Sequence, residues 1–274
     1  MLSKNYYLKV FSIFIFLFPV FIEGYSEDRK QRHFYVGAGW AHIGLRDKGI
    51  SPLYYNGNHL FLTAGYNHRT EKTSNQLEAN FLYGNITPTI STIYPGQNLL
   101  QIQSFKSGIS FSHMRFAGNL SGDKGFFFLG GIIGSQFTYY EHNQFANSAK
   151  NNFSFSTFNI SSSLAYPLSL NARECDLSLQ IYMPVIALII RPTYSYIRPE
   201  GFLDHNTGNL QSLLNSIEIV SLNKFFGLGS ELSFKYKLRN NSALRFGYRW
   251  EYSGHNNINQ LKTATHGIIL QTFF

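Results

Sequence analysis

Nine histidines, one cysteine and a low content of charged residues, 14%, restrict the chemistry open to this chain. Cys175 stands alone, so an intramolecular disulfide and a thiolate metal cluster are both excluded. The sequence holds no HExxH and no paired histidines at helical spacing, and we expect neither a metal nor a cofactor. It also lacks GxSxG and any glycine loop that would cradle phosphate. His42, His68, His142 and His255 fall near the ends of apolar segments or in polar connections, where a solvated or interfacial imidazole is expected. Ser253 and His255 lie two residues apart, but a serine becomes a nucleophile only beside a general base. From the sequence, His255 would reach that role only through a rearranged loop.

A second group of candidates is ionic: Glu78, Lys106, Glu231, Lys235, Arg245, Arg249 and Glu251. Their positions gain meaning from the segments that carry them. Ala243–Ser253 runs ALRFGYRWEYS without exception to a period of two. Successive side chains of a strand alternate faces, so Leu244, Phe246, Tyr248, Trp250 and Tyr252 share one face while Arg245, Arg249 and Glu251 share the other. A mostly aromatic face backed by charges suits a strand with lipid outside and a polar lumen inside. The lumen charges, of both signs, are expected to close the interior by ion pairs, since a charge inside a narrow barrel is paired or wet. The alternative is an ion path whose selectivity they set.

The same pattern recurs along the chain. Phe34, Val36, Ala38 and Trp40 are expected outward, as are Leu60, Leu62, Ala64 and Tyr66, then Leu77, Ala79, Phe81 and Tyr83 with Glu78 and Asn80 inward. Further strands are expected over about 100–116, 126–140, 158–166 and 177–187, the last with Leu177, Leu179, Ile181, Met183, Val185 and Ala187 on one face. Pro184 inside it predicts a bulge, because proline removes a ladder donor. Leu228 to Tyr236, with Glu231, Ser233 and Lys235 inward, and Ile268 to Phe274 complete the set. Short turns near 70, 120, 172 and 240 alternate with longer polar connections, the longest from Arg191 to Lys224 with a helical turn expected at Leu210–Asn215. The fold class is therefore all-β: an antiparallel up-and-down transmembrane β-barrel of about ten strands, within eight to twelve.

Composition agrees. There are 26 Phe, 18 Tyr and 23 Gly, and the mean hydropathy, −0.14, is too polar for a bundle of membrane helices. Met1 to about Ser26 has the form of a secretory signal: Lys4 and Lys9, then the apolar run Val10–Ile22, then Gly24 and Ser26. That run is shorter than the about 20 residues of a spanning helix. Residues 27–274 then form one barrel domain. The net charge of +8 comes with no lysine-rich run or nucleic-acid motif, so nucleic acid is not an expected partner. Acidic lipid headgroups or polysaccharide are.

The segment FYVGAGWAHIG, Phe34–Gly44, is similar to the first strand of small bacterial outer-membrane barrels of the opacity-protein type. The terminal Phe274, sharing a face with Ile268, Leu270 and Thr272, resembles the signal by which such barrels are inserted, which implies the insertion machinery as a partner. The resemblance implies a Gram-negative-type envelope, short turns and both termini periplasmic, and long loops outside. YRWEYSGHNN, Tyr248–Asn257, resembles the outer-membrane lipid A deacylase pattern. In that pattern a histidine stands two residues before the serine; here Glu251 does, which removes the base.

Three functions follow. The first is surface binding or adhesion through external loops, with a surface polysaccharide or host molecule as partner. The others are a narrow porin-like channel and a lipid hydrolase using Ser253; we expect no enzyme. Within the longest connection Tyr194, Tyr196, Arg198 and Phe202 lie close together, residue types enriched at binding hot spots.

Overall fold

In a computed structural model the chain is described over residues 31–48, 53–89, 101–120, 125–142, 150–170, 173–190, 217–238, 242–256 and 260–274. The signal-like segment, the candidate binding residues Tyr194, Tyr196, Arg198 and Phe202, and the helical turn expected at Leu210–Asn215 lie outside them.

Eleven strands follow one another: β1 (Gln31–Asp47), β2 (Tyr55–Arg69), β3 (Thr73–Pro88), β4 (Ile102–Leu120), β5 (Gly125–His142), β6 (Lys150–Leu170), β7 (Arg173–Ile190), β8 (Ile217–Ser221), β9 (Phe225–Lys237), β10 (Ala243–His255) and β11 (Leu261–Phe273). Every pairing is antiparallel, neighbours in sequence pair in the wall except β8 and β9, and β1 pairs with β11, which closes the sheet. β8 and β9 both lie along β7 and share one place in the wall, so the barrel has ten strands. Closure removes the edges that an open sheet would expose to lipid, where no water could satisfy them.

The interruption between β8 and β9 sits opposite Pro184. Ile186–Ile190 pairs with β8 and Cys175–Tyr182 with β9, which leaves Met183, Pro184 and Val185 between the two ladders. On the other side of β7 the register slips, Phe158 facing Ile186 and Asn159 facing Pro184. The bulge expected at the proline is there, and it corrects two further readings. Beyond it the faces exchange, so Ala187 is buried in the lumen while Ile186 and Leu188 are exposed. The connection expected to run unbroken to Lys224 contains β8 instead, because a strand broken at Pro184 resumes its pairing past the bulge.

Burial alternates with the period of two read from the sequence. Leu244, Phe246 and Tyr248 are exposed while Ala243 and Arg249 are buried; Phe34, Val36 and Trp40 are exposed while Tyr35 and Ala41 are buried. The exposed set forms a continuous apolar band. An apolar exterior with a polar interior inverts the soluble arrangement, and lipid is the solvent that fits it. Strand ends and turns place Phe34 beside Phe274, whose N–H donates to the Phe34 carbonyl at 2.9 Å. The ends of β2 and β3, β4 and β5, β6 and β7, and β9 and β10 that lie next to each other in sequence share that end of the barrel with the two described chain ends. The connections 48–54, 89–101, 143–149, 191–216 and 256–260 share the other.

Candidate functional site

The lumen is the site that the described side chains build, and it has two levels. At the end carrying the longer connections the inward residues are apolar, from Leu45 on β1 and Tyr55 on β2 through Tyr140, Phe153 and Phe155 to Ile189, Val220, Phe225 and Leu261. All are almost fully buried, and the rings of Tyr140, Phe153, Phe155 and Phe225 meet in sequence at 5.6, 4.9 and 5.3 Å. His255, 2% exposed, completes this level from β10. Side chains at the last inward positions of nearly every strand thus meet across the mouth.

Below them lies an ionic layer. The inward faces of β3, β4, β9 and β10 bring the seven charged residues singled out in the sequence into the lumen. Arg249 is the hub: it donates to Glu231 through Nε at 2.9 Å and Nη2 at 2.7 Å, and to Glu78 through Nη1 at 2.7 Å. Glu231 stands directly opposite Arg249 on the neighbouring strand, whereas Glu78 reaches across from β3. Arg245 adds a third bond to Glu231, 2.5 Å, and one to Gln271, 3.3 Å. Lys106 donates to Glu251 at 3.3 Å and to Thr265 at 3.5 Å. Lys235 takes a different partner, its ammonium lying 4.4 Å from the Phe273 ring centroid, with Asp176 directly opposite it in the β7–β9 ladder.

Two tyrosines complete the layer, and neither was singled out in the sequence. Tyr35 donates to Glu78 at 2.9 Å and accepts from Gln76 at 2.8 Å; Tyr182 donates to Glu251 at 2.7 Å. Each lies over a glycine. A Cβ on Gly65 would meet the Tyr35 ring at 2.5 Å, and one on Gly229 the Tyr182 ring at 2.1 Å. The signal lay in the glycines, but the glycine and its tyrosine occupy separate strands, so only the register pairs them. With both in place, Glu78, Glu231 and Glu251 each accept from a cation, and no carboxylate of the layer is left bare.

Between and beside these levels, against β4, β5 and β6, a cavity of about 170 Å³ remains. Its wall there is built of small or polar residues, among them Gly108, Ser110, Ser112, Gly134, Gln136 and Thr157. Bulk concentrated on the opposite wall and small residues here leave the lumen filled off-centre.

Ser253 borders this cavity and faces the lumen, its hydroxyl 2.6 Å from that of Thr263. His255 is the last residue of β10, on the same face, and its Nε2 lies 3.4 Å from Glu218. Ser253 therefore bonds Thr263 rather than a base, and the lipid-facing side of this stretch belongs to Trp250 and Tyr252. Among the described residues no group of three or more His, Cys, Asp or Glu is arranged to hold a metal.

No protein family matches the chain. No curated protein matches it either. Among solved structures it is similar to the outer membrane protease OmpT from Escherichia coli, at 8% identity and a TM-score of 0.48, covering 92% of this chain and 99% of that one. It is also similar to Neisserial surface protein A, at 13% identity and 0.35, covering 88% and 97%. A third is Ail, the attachment invasion locus protein of Yersinia pestis, at 10% and 0.28, covering 89% and 99%. At these identities and scores the similarities assign neither family nor activity to this chain, and its barrel rests on its own strand pairing.

Proposed function

We propose that this chain is an integral protein of a bacterial outer membrane that acts at the cell surface through its long connections, carried on a barrel whose lumen is closed. The observation that carries this reading is the double closure of the lumen, an apolar mouth in series with the Arg249 ionic layer. Eight-stranded barrels are just filled by side chains while those of sixteen leave a channel, and a ten-stranded wall stands near the filled end. Sealed inside and apolar outside, the barrel leaves its connections as the surface available for recognition, and loops on a rigid scaffold are where binding concentrates.

In this reading the long connections face outward and both termini are periplasmic. The segment 191–216, with Tyr194, Tyr196, Arg198 and Phe202, supplies the principal binding surface for a surface polysaccharide or host molecule. Insertion proceeds through the C-terminal strand ending at Phe274. Ser253 works as a lumen hydroxyl rather than as a nucleophile.

Two measurements test this. Purified protein in a planar bilayer is expected to give no unitary conductance, and deleting residues 199–215 is expected to abolish adhesion while leaving conductance at zero. The narrow-channel reading draws on the cavity beside the ionic layer; steady conductance from the unaltered protein would establish it and sink the closed barrel. Raised conductance with adhesion intact after the deletion would make the segment a lid.

A further inference from the structure

The lipid-facing wall carries a polar feature that the lumen does not explain. On β1 and β11 the outward residues above the apolar band are directly paired: His42 opposite His266, Gly44 opposite Ala264, and Arg46 opposite Lys262. Like charges facing each other in adjacent strands stand about 5 Å apart and destabilise the pairing. Arg46 and Lys262 are nonetheless placed so, and no Asp or Glu faces outward among the described residues of β1, β2, β10 and β11. Arg46 donates to the Tyr54 hydroxyl at 2.7 Å, and Lys262 has no hydrogen-bond partner among the described residues. Two cations at the boundary of an apolar band, without a counter-ion among the described residues, call for an anion from outside the wall.

The surface between the two pairs is a dip. A Cβ on Gly44 would meet nothing nearer than the Ala264 carbonyl at 3.9 Å, so the space above this rung is open. The imidazoles below are held in place: His42 Nδ1 meets Asn58 at 2.9 Å and His266 Nδ1 meets Tyr248 at 2.8 Å. Among the described residues nothing meets either Nε2. Two cations above the dip and two imidazoles below it border a space suited to a tetrahedral oxyanion, which arginine binds through its planar fork.

We infer that this dip is a site for the phosphate of a membrane lipid headgroup, with Arg46 and Lys262 supplying the charge, His42 and His266 the lower hydrogen bonds, and Gly44 the room. A lipid suits it better than a free anion because Trp40, one rung below His42 on the apolar side, and Trp250, level with His266, offer a surface for acyl chains beside the dip. Trp40 precedes His42 on the outward face of β1, and Trp250 stands opposite His266. The inference rests on the outer-membrane placement proposed above. A conducting lumen would overturn the closed barrel without touching it.

The chain has only two tryptophans, and both border the site, so their emission reports occupancy. Protein in neutral dodecyl maltoside is titrated with diphosphoryl lipid A, with dephosphorylated lipid A and with inorganic phosphate. The native protein is expected to saturate with the phosphorylated lipid, and Arg46→Gln/Lys262→Gln to need roughly 10- to 30-fold more, from two charges near a membrane surface. Gly44→Leu keeps every charge and fills the dip; it is expected to weaken binding comparably and keeps the test alive if the double variant does not fold. Dephosphorylated lipid is expected to bind native protein and variants equally weakly. Variants that titrate like the native protein overturn the site. An equal emission change from inorganic phosphate at the same concentration overturns the lipid and leaves a free-anion site.

Discussion

The ring of Tyr182 lies flat across Gly229, its direct partner on β9, so that a Cβ at Gly229 would stand 2.1 Å from the tyrosine Cζ. The glycine is what lets the tyrosine hydroxyl reach Glu251 at 2.7 Å from the far side of the ladder. Gly229→Ala is therefore expected to push the ring off its bond and to destabilise the barrel by about 1–3 kcal/mol, the usual range for overpacking. Once Tyr182→Ala removes the ring, the same alanine is expected to cost little. A double-mutant cycle in lipid vesicles measures this, and additive effects of the two substitutions would refute the pairing.

Arg249 holds Glu78 and Glu231 together from two strands. Arg249→Leu strips Glu78 of its cation while Glu231 keeps Arg245, and is expected to cost about 3–5 kcal/mol in a urea unfolding experiment. Glu78→Gln added to it is expected to restore part of that loss, because the penalty comes from the bare Glu78 carboxylate rather than from lost packing. A loss that persists in full in the Arg249→Leu/Glu78→Gln variant would assign Arg249 a packing role instead.

The two faces of the wall differ in what they tolerate. Phe246 and Leu232 are exposed and outward, and arginine at either is expected to cost about 2–4 kcal/mol near the membrane midplane. Ser233, inward and 2.7 Å from Ser178, is expected to accept arginine at lower cost, beside Asp176 and Glu231. Refolding into vesicles compares the three, and equal losses would contradict lipid as the outer solvent.

In the closed-barrel reading proposed above, the mouth and the ionic layer act in series. Phe155→Ala with Phe225→Ala removes two rings whose centroids lie 5.3 Å apart, yet conductance is expected to stay at zero while the Arg249 layer remains. Adding Tyr182→Ala and Arg249→Ala is expected to produce unitary steps, provided that heat-modifiable migration still shows a folded barrel. Steps from the mouth variant alone would place the whole seal there.

Orientation is open to labelling. A tag inserted after Asn206 is expected to be reached from outside intact cells, and one after Asn240 is not. Labelling at both positions, or at neither, would contradict the proposed topology.

Much of the barrel was written in the chain. A period of two fixes which side chains share a face wherever the ladder is regular, so Phe246, Trp40 and Leu62 are legible as outward and Glu78, Glu231 and Arg249 as inward without knowledge of any partner strand. Pro184 announced its bulge because a missing N–H is a local property. What the bulge does to residues beyond it is not local: Ala187 turned inward and β8 resumed the wall because pairing with a distant segment set the register. The same limit applies to the sites. The sequence contained Arg249 and Glu78, Tyr182 and Gly229, Arg46 and Lys262, but alternation gives only a face. Closing the sheet through β1 and β11 assigned each residue its height and its opposite number, and contact follows from height and partner together.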